Sequence, residues 1–437
     1  HHSRCPEHPV RFLITVALHG SRVTILGFAI RQLLRRKCRR SHFLIHPSSC
    51  SIGHTMGTLG AFFSSCYRGC FSLPYGPLGP PIPSSGAGPW AYLWSGGWAE
   101  ETTDLGLSIL LEFNHKPDVY RDMRCTIVGA GVSGLTTGIR LLEGGHDARI
   151  VSDKFSPETV SDVAAAIWYP FLVKPADRAD TWGIVTYDVL EALCESDPET
   201  GVRMIDGREY LRDVVDPPKW NDDIAAFRIL ENSEIPEGYV FGWEFRVPVI
   251  DMQLYMPWLK NRFEVLGGTF EKDFVENLQD IEGDVVVNCV GLGAIELCDD
   301  KEVKPARGQI IFIEQDPGVG HFDQQPETLT YTIPRTNVTV LGGTAQVGDW
   351  DLDIRAEDND LILSKVEAIW PDLDRSKIVG GTVGLRPSRS EVRLEEEEIG
   401  GSKVIHNYGH GGAGVTLSWG CADEVAAIVA GGKESDV

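Results

Sequence analysis

The sequence predicts an α/β fold in which a parallel sheet is interrupted by an inserted, mainly antiparallel α+β domain. Three features predict it: a strand, turn, helix and strand from Met123, a middle region of aromatic and β-branched runs, and an apolar strand that returns to the parallel pattern. The first domain is expected to comprise about residues 123–170, 271–304 and 381–437, and the inserted domain about 171–270 and 305–380.

Residues 1–122 are expected to lie outside that fold, as an unstructured extension or as upstream sequence read in frame. They contain 12 Lys and Arg against 7 Asp and Glu, and Ser72 to Gly97 is rich in Pro, Gly and Ser. A basic targeting leader is the alternative, because the segment is rich in Arg and poor in acid up to Trp98. Leaders also need an amphipathic face, which this segment lacks, and Met123 stands directly before the first strand.

The remaining chain is strongly acidic, with 28 Lys and Arg against 56 Asp and Glu. Such a body repels phosphate backbones and anionic lipids, which argues against nucleic acid and membrane partners and favours a small molecule. No apolar run is long enough to cross a bilayer. The 10 cysteines contain no Cys-x-x-Cys pair, which indicates reduced thiols in an intracellular protein.

The elements of the first domain follow in order from Met123. Cys125–Val128 and Ala148–Val151 predict strands, and Val132 to Glu143 predicts a helix that Gly144-Gly145 closes. Residues 171–270 mix strand-forming runs with prolines and predict a mostly antiparallel sheet. Asp284–Cys289 contains the continuous apolar run Val285-Val286-Val287, as in a strand buried on both faces of a parallel sheet.

The turn between the first strand and helix carries a dinucleotide fingerprint. Gly129-Ala130-Gly131-Val132-Ser133-Gly134 matches G-x-G-x-x-G in the required context. Its glycines allow a tight turn, close approach of a pyrophosphate and close helix packing, while the helix N-terminus attracts phosphate. Asp153 ends the second strand, where a carboxylate accepts from a ribose hydroxyl and favours an unphosphorylated ribose over NADP. The motif does not separate FAD from NAD, and a ligand-free turn is the alternative.

Five later segments resemble the D-amino-acid oxidase family, in the same order and over Met123 to about Val429. They are Asp162-Val163-Ala164-Ala165, Ala306-Arg307-Gly308-Gln309, Tyr331-Thr332-Ile333-Pro334-Arg335 with Leu341-Gly342-Gly343-Thr344, Gly384-Leu385-Arg386-Pro387-Ser388-Arg389, and His406-Asn407-Tyr408-Gly409-His410-Gly411-Gly412-Ala413-Gly414. The resemblance implies a Rossmann-like FAD-binding domain, FAD as cofactor, and oxidative deamination of D-amino acids with oxygen. The products would be a 2-oxo acid, ammonia and hydrogen peroxide.

The substrate carboxylate calls for a guanidinium that donates two parallel hydrogen bonds, and Arg386 is the candidate. It stands between a Gly-Leu turn and a proline, where a short loop would hold it; a surface arginine is the alternative. Tyr331 supplies a phenol for the same carboxylate, unless it is a buried tyrosine at a strand end. The resemblance implies that the Gly412 carbonyl faces the substrate amine and that Thr416 and nearby N–H groups of Gly411, Ala413 and Gly414 face the flavin.

The resemblance assigns further residues to the cofactor. The segment that ends in Ala166 and Ile167 would pass beside the reactive edge of the flavin. Lys154 and Ser161 would reach phosphate, and Phe274 and Val290 would lend backbone near the adenosine half. His406 and His410 stand four apart, but the glycines around them argue against a helix that presents both, and no third ligand is evident, so no metal is expected.

The alternatives are a D-aspartate or glycine oxidase, a nicotinamide dehydrogenase, and a flavoprotein that no longer turns over. D-aspartate oxidases place an arginine after the Gly-Gly-Thr turn, where this chain has Ala345, which favours neutral D-amino acids unless Arg335 turns inward. Glu327 stands where animal members carry a lid tyrosine. Lys433–Val437 lacks a peroxisomal signal of the S-K-L type, so the expected intracellular location is either cytoplasm or peroxisome. A homodimer is possible from the sequence and is left open.

Overall fold

A computed structural model describes residues 10–17, 106–113, 123–170 and 173–431. The chain divides into two compact units, His1–Lys116 and Pro117–Val437. In the first unit, strand β1 (Val10–Ala17) pairs antiparallel with β2 (Gly106–Phe113). The sequence did not indicate these two strands, and the rest of the predicted extension falls outside the described residues.

The second unit begins with the predicted strand–helix–strand motif. It consists of β3 (Arg124–Val128), α1 (Val132–Glu143) and β4 (Asp147–Ser152), and the two strands are parallel. The helix buries its apolar face, including Leu135 and Ile139, against the sheet. These bounds agree with the predicted ones to within a residue.

The remaining elements follow in chain order: α2 (Ala176–Ser196), β5 (Val202–Leu211), β6 (Phe227–Ile229), β7 (Phe241–Ile250), α3 (Met252–Val265), β8 (Thr269–Lys272), β9 (Val285–Asn288), α4 (Ala294–Leu297), β10 (Lys304–Ile313), β11 (Gly320–Asp323), β12 (Thr330–Pro334), β13 (Thr339–Gly342), β14 (Gln346–Val347), α5 (Ala356–Ile369), β15 (Ile378–Ile399), β16 (Ser402–His410) and α6 (Gly414–Val429).

One end of the sheet is parallel and has the order β16-β9-β3-β4-β8. All four residues of β9 are buried, as expected for a parallel strand covered on both faces. Helices α1 and α2 pack against α6, and α3 packs on α1. The chain therefore returns to this part at α3 and β8, earlier than residue 271, where the sequence placed the return.

The other end has the order β6-β7-β5-β11-β12-β13-β10-β15 and is antiparallel except where β11 runs parallel to β5. The predicted antiparallel architecture is confirmed, although the segment 171–270 also contains the two long helices α2 and α3. The 22-residue strand β15 pairs with β10 and β16 and so joins both ends into one sheet. None of the helices within the described ranges is long and apolar enough to cross a membrane.

Candidate active site

A cavity of about 1200 Å³ runs along the carboxyl ends of β3, β4 and β9 and continues to β12 and β15. Ligands of open α/β sheets bind at such strand ends. The volume exceeds the usual range for one small ligand and suits a dinucleotide together with a small substrate. Its wall includes these predicted residues: Gly129, Ala130, Gly131, Val132, Ser133, Asp153, Lys154, Ser161, Ala166, Ile167, Phe274, Val290, Tyr331, Arg386, Gly411, Gly412 and Gly414.

The glycine-rich turn has no room for a side chain at its first and third glycines. Gly129 has a φ of +107°, and a Cβ there would lie 2.6 Å from the carbonyl oxygen of Cys289. A Cβ on Gly134 would lie 1.9 Å from the Gly129 oxygen. Gly134 therefore packs α1 onto the turn, as predicted for the third glycine, and does not itself line the cavity.

The start of α1 faces the cavity without a side-chain cap at Gly131. The Val132 N–H donates to the Ser161 hydroxyl oxygen at 3.0 Å, which brings the predicted phosphate residue Ser161 to the turn. Asp153 and Lys154 lie exposed on the wall at the end of β4. Because the turn leaves space only for backbone and the helix offers free N–H groups, the site fits a bound pyrophosphate.

The segment Ala164–Ile167 is held from two sides. The Arg335 guanidinium donates to the carbonyl oxygens of Ala164 and Ala165, the latter at 2.9 Å. On the other side, the Ile250 N–H donates to the Ala166 carbonyl at 2.9 Å. Ala166 adopts a φ of 54°, which is costly for a side chain with a Cβ and is maintained by these contacts. Arg335 is thus a half-buried partner of backbone carbonyls rather than an exposed surface residue.

Arg386 and Tyr331 both line the cavity. Arg386 lies within β15 opposite Ala306, so the expected short loop is wrong. Its guanidinium lies over Gly308, where a Cβ would come within 2.1 Å of Nη1, and this Nη1 donates to the Thr344 carbonyl at 2.8 Å. No acidic side chain forms an ion pair with Arg386 within the described part of the chain. An unpaired guanidinium in a cavity attracts a carboxylate.

The Tyr331 ring lies against two glycines of the next strand and turn. A Cβ on Gly342 would come within 2.1 Å of the ring, and one on Gly343 within 2.8 Å of the phenol oxygen. Tyr331 pairs with Gly342 across β12 and β13, which fixes its place in the sheet. The Gly-Gly-Thr turn therefore makes the space that the phenol occupies.

The glycine-rich end of β16 leads into α6. Gly411 has a φ of +56°, and Gly412 is exposed on the cavity wall. Ala413 and Thr416, both expected near the flavin, are buried and do not line the cavity wall. The Thr416 hydroxyl instead donates to the Tyr169 carbonyl at 3.1 Å and accepts from the Tyr169 N–H at 3.2 Å. Thr416 therefore positions the opposite wall.

The two histidines of β16 have separate partners. His410 Nε2 lies 3.0 Å from the Asn407 side-chain oxygen, and burial lowers the pKa of His410 to about 4. His406 bonds Asn288 and Glu397. No group of three or more potential metal ligands occurs in the described ranges.

A buried carboxyl that no sequence pattern indicated lies behind the cavity wall. Tyr169 lines the cavity, and its hydroxyl donates to Glu209 Oε2 at 2.5 Å. The Trp243 indole donates to the same oxygen at 2.8 Å. Glu209 is only 3% exposed, and burial raises its pKa to about 7. Tyr169 and Glu209 are 40 residues apart in sequence, so no local pattern links them.

Comparisons with known proteins identify relatives of this chain. The family profile described as FAD dependent oxidoreductase matches residues 124–428. D-amino-acid oxidase of Rubrobacter xylanophilus is 43% identical over 312 residues, 70% of this chain and 95% of the relative. Human D-aspartate oxidase is 36% identical over 322 residues, 70% of this chain and 94% of the relative. A glycine oxidase structure from Geobacillus kaustophilus has a TM-score of 0.60 at 18% identity, with 71% of this chain and 95% of that chain covered, and shares the fold.

Fold and site together define an FAD-dependent oxidoreductase, which settles the choice between FAD and NAD that the glycine motif left open. The chain belongs to the D-amino-acid oxidase family.

Proposed function

We propose that the chain oxidises neutral D-amino acids to 2-oxo acids and ammonia, with oxygen reduced to hydrogen peroxide. The observation that carries the proposal is the Arg386 guanidinium, which has no acidic partner in the described ranges and shares a cavity wall with the Tyr331 phenol. A guanidinium and a phenol together bind an α-carboxylate. The family membership and the relatives named D-amino-acid oxidase support the same reaction.

The side chains and backbone of this chain orient the substrate. Arg386 and Tyr331 bind its carboxylate, and the exposed Gly412 carbonyl accepts a hydrogen bond from its amine. Bound FAD supplies the hydride acceptor and the reaction with oxygen. Orientation alone contributes about 7–11 kcal/mol to lowering a barrier, so a side-chain base beside Cα is not required.

The turn Gly129–Ser133, the α1 N-terminus and Ser161 would hold the pyrophosphate, and Asp153 would accept from a ribose hydroxyl. The Arg335 contacts keep Ala164–Ile167 in place on the cavity wall. These residues account for binding and placement of the cofactor.

A preference for neutral side chains is supported by Ala345, which lies exposed on the cavity wall after the Gly-Gly-Thr turn. Arg335 does not replace the absent arginine, because its guanidinium donates to backbone carbonyls. A second substrate carboxylate taken into the pocket would lack a partner, and an unpaired buried charge costs several kcal/mol.

The test is hydrogen peroxide release from a panel of amino acids. D-alanine and D-methionine are expected to give a kcat/KM at least about tenfold above that of D-aspartate. L-alanine is the control for handedness and glycine for the smallest substrate. The human relative makes D-aspartate oxidation the second candidate. Preference for D-aspartate would contradict the argument from Ala345, and absence of peroxide with every D-amino acid would contradict oxidase activity itself.

A further inference from the structure

A row of cross-strand partners leads from Tyr331, which is proposed to bind the substrate carboxylate, to Glu209. Tyr331 in β12 is opposite Phe322 in β11, Phe322 is opposite Glu209 in β5, and Glu209 is opposite Trp243 in β7. Directly opposed residues share a face of the sheet, so these four side chains lie on the cavity side together. Neighbouring strands are about 4.8 Å apart, which places Glu209 roughly 10 Å from Tyr331.

Tyr169 separates Glu209 from the cavity and is fixed in place. Its backbone is bonded to Thr416, and its ring packs edge-on against Trp220 with 5.5 Å between ring centroids. Its hydroxyl donates its only proton to Glu209. The phenol oxygen therefore keeps lone pairs that can accept a hydrogen bond but has no proton left to donate.

We propose that Glu209 acts through Tyr169 as a specificity-determining residue at the side-chain end of the substrate pocket. The pair favours D-amino acids whose side chains donate hydrogen bonds and disfavours those with an acidic side chain. D-glutamine and D-glutamate separate these cases best, because they differ in charge and donors but hardly in size. The inference rests on the proposed oxidation of D-amino acids.

The effect should depend on pH, because burial raises the pKa of Glu209 to about 7. An ionised Glu209 repels a carboxylate on the substrate's side chain, whereas the protonated form does not. Tyr169 and Tyr331 are the titratable groups on the same face as Glu209. Asp323 in β11 pairs with Arg212 on the opposite face, and its charge also raises the pKa of Glu209. Arg208, Tyr210 and Glu244 alternate to the opposite face of β5 and β7.

The experiment measures kcat/KM for D-glutamine and D-glutamate with the FAD-loaded enzyme by peroxide release, at about pH 5.5 and about pH 8.5, on either side of the pKa. The ratio of D-glutamine to D-glutamate should rise about tenfold with pH in the parent. In Glu209→Gln the ratio should be the same at both pH values and about tenfold below the parent at the higher pH. Because both substrates are measured on one preparation, a loss of active enzyme or FAD leaves the ratio unchanged.

Glu244→Gln is the matched control, since Glu244 lies on the opposite face of the same strand pair and pairs with Arg208. It should keep the parental ratio and its pH dependence. A Glu209→Gln enzyme that oxidises D-alanine with an unchanged ratio at both pH values would overturn the inference. If Glu209→Gln fails to fold, a parental ratio that is the same at both pH values would overturn the inference. Failure of the parent to oxidise D-alanine would instead contradict the proposed function.

Discussion

In the proposed reaction Arg386 binds the substrate carboxylate, and substitution at this residue tests that role. Arg386→Ala is expected to lower kcat/KM for D-alanine, because the substrate carboxylate loses a charged partner. The loss of transition-state stabilisation should be about 2–5 kcal/mol. Arg386→Lys should rescue only in part, since an ammonium cannot form the bidentate pair. Steady-state kinetics with flavin absorbance checks this, and FAD should stay bound.

Arg375→Ala is a suitable control for Arg386, because Arg375 forms an exposed ion pair with Glu367. Its kinetics should match those of the parent. Unchanged kinetics in Arg386→Ala would remove Arg386 from the site.

Glu209 should also make folding stability depend on pH. The pKa of this carboxyl rises from 4.5 to about 7 on folding. Between these values the folded chain keeps a proton that the unfolded chain has released, so stability falls as pH rises and stays lower above about pH 7.

Glu209→Gln removes this loss. Relative to the parent, its free energy of unfolding should increase from pH 4.5 to pH 7 by an amount of order 3 kcal/mol, apart from a constant offset for the changed hydrogen bonds. Urea unfolding of both proteins at several pH values measures it. Parallel stability curves would show that Glu209 is ionised in the folded protein throughout this range.

At the scale of elements, the turn between β3 and α1 should not tolerate a side chain. Gly129→Ala would place a Cβ 2.6 Å from the Cys289 carbonyl oxygen at a φ of +107°. We expect loss of bound flavin, seen as colourless protein after purification, because the turn must move to relieve the contact. The control Gly145→Ala has a φ of +83° but nothing within 4 Å, so it isolates backbone strain. It should cost about 1 kcal/mol of stability and keep FAD.

The elements nearest this turn were predictable, whereas β15 was not. Helix α1 has the predicted bounds because its apolar period and flanking glycines are local signals. The region around Arg386 contains glycine and proline, which indicate a loop, yet it lies in a 22-residue strand. Pairing with β10 on one side and β16 on the other overrides those local preferences. The Tyr169–Glu209 contact likewise depends on tertiary structure alone.

At the scale of the whole molecule, every described residue of the cavity wall lies within the unit Pro117–Val437. A chain that starts at Met123 is therefore expected to fold, bind FAD and retain full kcat/KM, because β3 begins at Arg124. Flavin absorbance and peroxide release are measured for the chain that starts at Met123 and for the 437-residue chain. Insoluble or colourless protein after this truncation would show that residues before Met123 contribute to folding. The intracellular location and the homodimer stay predictions.

The pairing of β15 with β16 has a consequence for the handedness of the reaction. Ser388, two residues after Arg386, is the cross-strand partner of His410, which directly precedes Gly411 and Gly412. The proposed contacts for the substrate carboxylate and for its amine therefore lie on one hairpin, on either side of this cross-strand pair. Three substrate contacts are needed to distinguish the two enantiomers, and these two contacts move together. Motions of the strands outside this hairpin should then change how quickly a substrate enters without changing which enantiomer is oxidised.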